Sequence, residues 1–192
     1  MTALHLAFQA RGRPSVHGPV LTQLGRAPKE AVDWLFTLIE TGFPPGPLLG
    51  GRPLVPGVVE GPLIGGNLSV MTRLLGTPHF PDLHGAILLL EDVSERPYRL
   101  DRMWTHLQLA EVLTGLAGVA LGRFTGCDEP DGSVTAADVL PGLVSSLKIP
   151  CAMDFPIGHE DANFAVPLGT RVRLDAENGS LTFLESLTRE QS

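Results

Sequence analysis

Ala86–Leu90 is an unbroken apolar run held between Gly85 and the acidic pair Glu91-Asp92. A strand-length stretch with no polar residue belongs to a strand covered on both faces, the condition of a sheet with helices packed above and below it. It predicts a buried strand that ends in charge, and the chain around it must supply the cover. Pro97–Leu116 reads as one covering helix, with Leu100, Met103, Trp104, Leu107, Val112 and Leu116 in a single apolar stripe and Arg and Asp mostly off it. Strands over 118–124 and 149–155 and a helix over 136–147 continue the alternation. Upstream, Leu54–Val59 and Gly61–Ile64 read as strands, and Asn67 caps a short helix that reaches about Leu75 and closes at Gly76. Near the end, Asn178-Gly179 between Arg171–Leu174 and Ser180–Leu184 predicts a hairpin whose two turn residues take positive φ.

The first part of the chain has a different rhythm. Residues 2–10 are apolar on one helical face but lack a convincing cap, and Pro14–Val20 suits a short strand. Pro28–Thr41 is a better helix: Val32, Leu35, Phe36 and Ile39 recur at helical spacing, Pro28 suits the first turn and Gly42 the C-terminal cap. Residues 43–53 (FPPGPLLGGRP) read as a linker. The fold class expected is mixed α/β, a strand-rich unit from about 54 to 186 with an α/β remnant before it. The 22 Gly and 17 Pro residues agree with many tight connections between these elements.

Charge narrows the partners. Fourteen basic residues against 21 acidic, a net of −7, provide no basic stripe for phosphates, so neither nucleic acid nor an anionic membrane surface is expected as a partner. The longest apolar runs are too short to span a bilayer, and the N-terminus lacks the pattern of a signal peptide. Two cysteines, Cys127 and Cys151, do not make a disulfide scaffold, and the expected compartment is the reducing cytosol.

Two residues stand out as carriers of chemistry. Glu91 ends the most apolar strand, where open α/β sheets present functional groups, and a carboxylate held there can orient a histidine; it can equally cap the next helix or, like Asp92, pair with Arg96, Arg99 or Arg102. His159 lies in Phe155-Pro156-Ile157-Gly158-His159-Glu160, a turn after a predicted strand whose small, rigid neighbours can hold an imidazole at a loop tip. His5, His79, His84 and His106 read as helix-face or surface-loop residues, and His17 precedes Gly18-Pro19 in a tight turn. No H-E-x-x-H and no close cysteine pair occurs, Asp128, Glu129 and Asp131 lack the register of a calcium loop, and Gly61–Gly66 lacks the Lys and Ser/Thr of a P-loop. The reading therefore expects no metal and no cofactor. Cys127 has no base near it in sequence and reads as a buried thiol.

The strings GPLIGGNLSVMTRLLGTP (61–78), PDLHGAILLLEDVSERPYRLDRM (81–103), GVALGRFTGC (118–127), IPCAMDFPIGHEDANFAVPLG (149–169) and VRLDAENGSLTFLE (172–185), in this order and spacing, resemble the LD-carboxypeptidase family, the muramoyltetrapeptide carboxypeptidases and microcin-immunity peptidases. The resemblance implies a C-terminal domain of that type over 46–190, preceded over 1–45 by the last part of an α/β N-terminal domain. It implies a Ser/Glu/His catalytic set in which Glu91 is the carboxylate that orients the imidazole and His159 the base. The family's serine stands in a G-x-S-D turn just before a helix similar to Thr2–Ala7 (TALHLA), so the nucleophile and the oxyanion donors are expected outside this sequence. Such donors commonly carry a factor of about 100–1000 in rate. The implied activity is cytosolic hydrolysis of an L,D amide bond, such as release of terminal D-alanine from murein tetrapeptide, by an enzyme of which this chain alone is inactive. Alternatives are a microcin-type peptidase of peptide-nucleotides and a non-catalytic binding or dimerisation module. The partners implied are a murein or related peptide, and a second copy or a separate N-terminal half.

Overall fold

The computed structural model describes residues 1–188, so the expected domain end at 190 lies outside the described residues. The chain opens with α1 (Thr2–Gln9), β1 (Ser15–His17), α2 (Leu21–Leu24) and α3 (Lys29–Thr41), followed by β2 (Leu48–Leu49) and β3 (Arg52–Val55). It continues as β4 (Val58–Asn67), α4 (Leu68–Thr72), β5 (Ile87–Val93), α5 (Pro97–Leu109), β6 (Gly118–Thr125), α6 (Ala136–Ser145) and β7 (Cys151–Met153). Three strands complete it: β8 (Val166–Leu168), β9 (Arg171–Asp175) and β10 (Ser180–Phe183).

Eight strands form one mixed sheet in the order β2-β10-β9-β4-β5-β6-β7-β3, and β1 pairs with β8 in a separate antiparallel ribbon. From β4 to β7 neighbouring strands are parallel; the others join antiparallel. Long β4 serves two neighbours, pairing with β9 over Val58–Pro62 and with β5 over Leu63–Asn67. The apolar run of β5 is buried on both faces, as its composition requires. Leu88 and Leu90 face a core that includes Leu6, Leu100 and Trp104, whereas Ile87 and Leu89 face the one that includes Trp34, Leu38 and Phe155. Both cores thus contain residues from the first 45.

Several boundaries differ from expectation for local reasons. The stretch 43–53 contains β2 and the start of β3 rather than a plain linker. The strand expected over Gly61–Ile64 is part of β4, which runs on through Gly65 and Gly66 to Asn67. The helix expected to reach Leu116 stops at Leu109, and Glu111 turns to φ 59°. The final hairpin pairs Asp175 with Ser180, so its loop has four residues and only Gly179 has positive φ. Helix α3 buries Ala31, Trp34, Leu35 and Leu38, while Phe36 and Ile39 remain exposed. Its ends are as read: Pro28 precedes it and Gly42 closes it in the left-handed region. Among the described residues no helix is long and apolar enough to cross a membrane.

Candidate active site

The C-terminal ends of the parallel strands meet at one edge of the sheet, where an open α/β sheet places its crevice. Asn67 ends β4, Glu91 and Asp92 lie just before the end of β5, and β7 leads into the loop that carries His159. Residues 91 and 92 point to opposite faces because side chains alternate along a strand, and both are 1% exposed.

Asp92 serves the scaffold. Its Oδ1 accepts from Asn67 Nδ2 and Val93 N, each at 2.8 Å, and its Oδ2 accepts from Ser69 N at 2.8 Å. It therefore caps a helix, but that helix is α4 rather than the one that follows it. Burial pushes its carboxyl above the ordinary range, against the three hydrogen bonds that favour the anion. Asn67 accepts from Val70 N at the start of α4, and its own N–H donates to Thr2 Oγ1, tying α1 to the end of β4. The arginines once open as partners of this acidic pair go elsewhere: Arg96 to Glu129 and Arg99 to Glu95.

Glu91 faces the other way and meets His159. The imidazole Nδ1–H donates to Glu91 Oε2 at 2.7 Å. Burial by itself would raise the Glu91 carboxyl, but the His159 hydrogen bond and the two imidazoles close by outweigh it and hold the carboxyl at about 2. The same hydrogen bond raises His159 above its ordinary value. A donated Nδ1–H fixes the tautomer and leaves Nε2 as the lone-pair nitrogen of a ring that lines the cleft.

The loop that presents His159 is held against β6. Phe155 N donates to Leu121 O, Arg123 N to Ile157 O at 2.7 Å, and Gly158 N to Asn163 Oδ1. Two glycines permit this approach. A side chain at Gly122 would bring its Cβ to 2.3 Å from Ile157 O, and Gly158 has φ 143°, a region closed to other residues. Between Leu90↔Leu121 and Asp92↔Phe124 the ladder shifts, so Glu91 sits opposite a bulge in β6 that makes room for the loop.

Sequence reading missed His17. It belongs to β1, not to a free turn; its ring is buried, and its Nε2 stands 3.7 Å from Glu91 Oε1. His5 lies beyond it, ring centroids 6.0 Å apart, with Nδ1 bonded to Ser15 Oγ at 2.9 Å. Burial, with His17 nearby, lowers His5 to about 4 and keeps it neutral. The His17-Gly18-Pro19 triplet was the available signal, yet nothing local to it says that the ring reaches β5.

These side chains line a cleft of about 760 Å³ that also takes in Thr2, Val20, Leu21 and Val70. The volume suits a small ligand or the end of a peptide. Among the described residues no Ser, Thr or Cys side chain is hydrogen-bonded to His159: Ser69 Oγ is engaged with Asn67 Oδ1, and Cys127 is buried with its thiol raised to about 11 by burial. Among the same residues no three His, Cys, Asp or Glu side chains converge as a metal site.

Comparison with known proteins gives consistent likenesses. The sequence profile of the LD-carboxypeptidase C-terminal domain matches residues 60–174. A protein of Synechocystis sp. named as a carboxypeptidase is 42% identical over 96% of this chain and 61% of its own length. The murein tetrapeptide carboxypeptidase of Pseudomonas aeruginosa is 33% identical over 91% of this chain and 60% of its own length. The crystal structure of muramoyltetrapeptide carboxypeptidase from Oxalobacter formigenes superposes with a TM-score of 0.82 at 28% identity, covering 94% of this chain and 64% of that one. The chain thus spans about three fifths of the length of the curated relatives it matches.

Proposed function

The chain belongs to the LD-carboxypeptidase family, and from that membership we propose that Glu91 and His159 are the orienting carboxylate and the general base of a serine-type LD-carboxypeptidase. The supporting observation is the 2.7 Å hydrogen bond from His159 Nδ1 to a buried, ionised Glu91 at the end of β5. In this reading His159 Nε2 takes the proton of a serine hydroxyl as that oxygen attacks the scissile carbonyl. Glu91 stabilises the resulting imidazolium, which then protonates the leaving amine. The acyl-enzyme is hydrolysed by water, with His159 again the base.

No hydroxyl or thiol of the described residues engages His159, and in this reading the nucleophile and the oxyanion donors come from other residues and the 192-residue chain by itself does not turn substrate over. The substrate class proposed is a murein peptide with a terminal D-alanine, by analogy with the Pseudomonas relative named for murein tetrapeptide. A cytosolic setting accords with two free, buried cysteines.

A chimera tests this. Joining the unmatched portion of the Synechocystis relative to this chain should yield D-alanine release from murein tetrapeptide, and His159→Ala should cut that rate by about 1000-fold or more. The chain alone should release none. A chimera indifferent to His159→Ala, or release by the lone chain that survives Cys127→Ala, would overturn the assignment, the second by requiring a nucleophile within these residues.

A further inference from the structure

The Glu91/His159 pair accounts for one oxygen of the carboxylate. Oε2 receives His159, whereas Oε1 is buried and has no hydrogen-bond partner. An uncompensated carboxylate oxygen away from water is costly, and it faces a second group in the same condition. His17 has a buried ring, its Nδ1 is also unpartnered, and its Nε2 lies 3.7 Å from Oε1. A neutral imidazole carries its single proton on one nitrogen or the other. With no acceptor at Nδ1, a proton there would be stranded, whereas at Nε2 it faces an empty anionic acceptor.

Resting on the assignment of Glu91 and His159 above, we propose that His17 is a positioning residue: its Nε2–H, held by β1 against Glu91 Oε1, fixes the plane of the carboxylate so that Oε2 stays on His159 Nδ1. The separation is longer than a hydrogen bond and needs only a few tenths of an ångström of closure to become one. Such contacts are commonly loose in an empty site and tighten when it fills. The placement of His17 supports this role. Strand β1 is paired to β8 at His17↔Val166, and from there the ring faces the carboxylate oxygen that His159 does not use. Nearby groups include His5 from α1, which is bonded to Ser15, and the amino group of Met1, which lines the same cleft and acts on His5 and His159 through its charge. Neither is hydrogen-bonded to Oε1.

The test uses the whole chain and does not need turnover. Nitrogen-15 NMR of the histidine rings reads both tautomer and titration midpoint. In the wild type, neutral His17 should be the Nε2–H tautomer and His159 the Nδ1–H tautomer. His17→Phe removes the donor and keeps the bulk; the His159 midpoint should fall toward its ordinary value by about half a pH unit or more, and its Nδ1 proton should exchange faster. His17→Gln returns an N–H donor and should restore most of both. Glu91→Gln is the control for the underlying pair. If Glu91→Gln leaves the His159 midpoint unmoved, the Glu91/His159 assignment itself fails. If Glu91→Gln lowers it while a natively folded His17→Phe does not, only the role of His17 is overturned. Should His17→Phe fail to fold, the tautomer decides: a protonated Nδ1 and bare Nε2 on wild-type His17 would refute the positioning role, and an Nε2–H retained with a His17→Gln midpoint like wild type would uphold it.

Discussion

At 1% exposure Glu91 is a carboxylate that water does not solvate, so the imidazoles beside it decide its charge. That sets a pH window for the pair. The Glu91 carboxyl is lowered from 4.5 to about 2, so its share of the stability is in place above about 4.5 and is lost as pH falls toward 2. His159 is raised above 6.5, so its share is complete below that value and fades as pH rises through the folded midpoint. A double-mutant cycle between Glu91→Gln and His159→Asn should therefore show its largest coupling between pH 4.5 and 6.5. Coupling that is flat from pH 4.5 to 9 would mean that the hydrogen bond does not depend on the charged pair. His5 acts in the opposite sense, because its depressed value near 4 means that the unfolded chain takes up that proton first. Total stability should then decline from pH 6.5 to 4 even as the Glu91–His159 coupling persists. In the proposed chimera the raised His159 places the acidic limb of turnover above pH 6.5, since the base must be neutral.

Among the elements, α1 and α3 show how much a helical stripe leaves undecided. In α3 two stripes fit the period, Val32/Leu35/Phe36/Ile39 and Ala31/Trp34/Leu35/Leu38, and they differ by roughly a quarter turn about the axis. The observed rotation is the one that lets Trp34 Nε1 donate to Ala165 O and its ring meet Phe164 edge-on. The other choice would turn Trp34 away from the sheet and forgo both this hydrogen bond and the burial of the ring. In α1, Leu6 is fully buried with Leu68, Met71 and Leu90, whereas Leu4 is about half exposed. Leu6→Ala is expected to cost about 2–5 kcal/mol and Leu4→Ala no more than about 0.5 kcal/mol, as read from denaturant midpoints. Equal losses would place the other face of α1 against the sheet.

For the molecule as a whole, two cores share one sheet, and each contains a tryptophan: Trp104 of α5 on one side, Trp34 of α3 on the other. Because the β5 backbone carries side chains into both, loss of either core exposes the same strand. Single-tryptophan variants, Trp34→Phe and Trp104→Phe, should unfold in urea with fluorescence changes that coincide with loss of circular dichroism in each protein. An early Trp34 transition would instead make residues 1–45 a separately melting unit. Much of this architecture was legible in the residues: the buried strand from an unbroken run, α4 from Asn67, the end of α3 from Gly42, the last two strands from the Asn178-Gly179 turn signal between them. Those signals work because periodicity and capping act within a few residues. Glu91 and His159 were candidates by position and took their expected roles only from family resemblance, and His17 was passed over, since its pairing with β8 and its approach to Glu91 depend on segments far along the chain. The sequence by itself determined where most helices and strands lie and which apolar stripes each helix could offer. Only the tertiary structure decided the strand order, the rotation of α3 and the convergence of β1, β5 and the His159 loop on one cleft, because these follow from long-range packing and from where each buried polar group finds its partner.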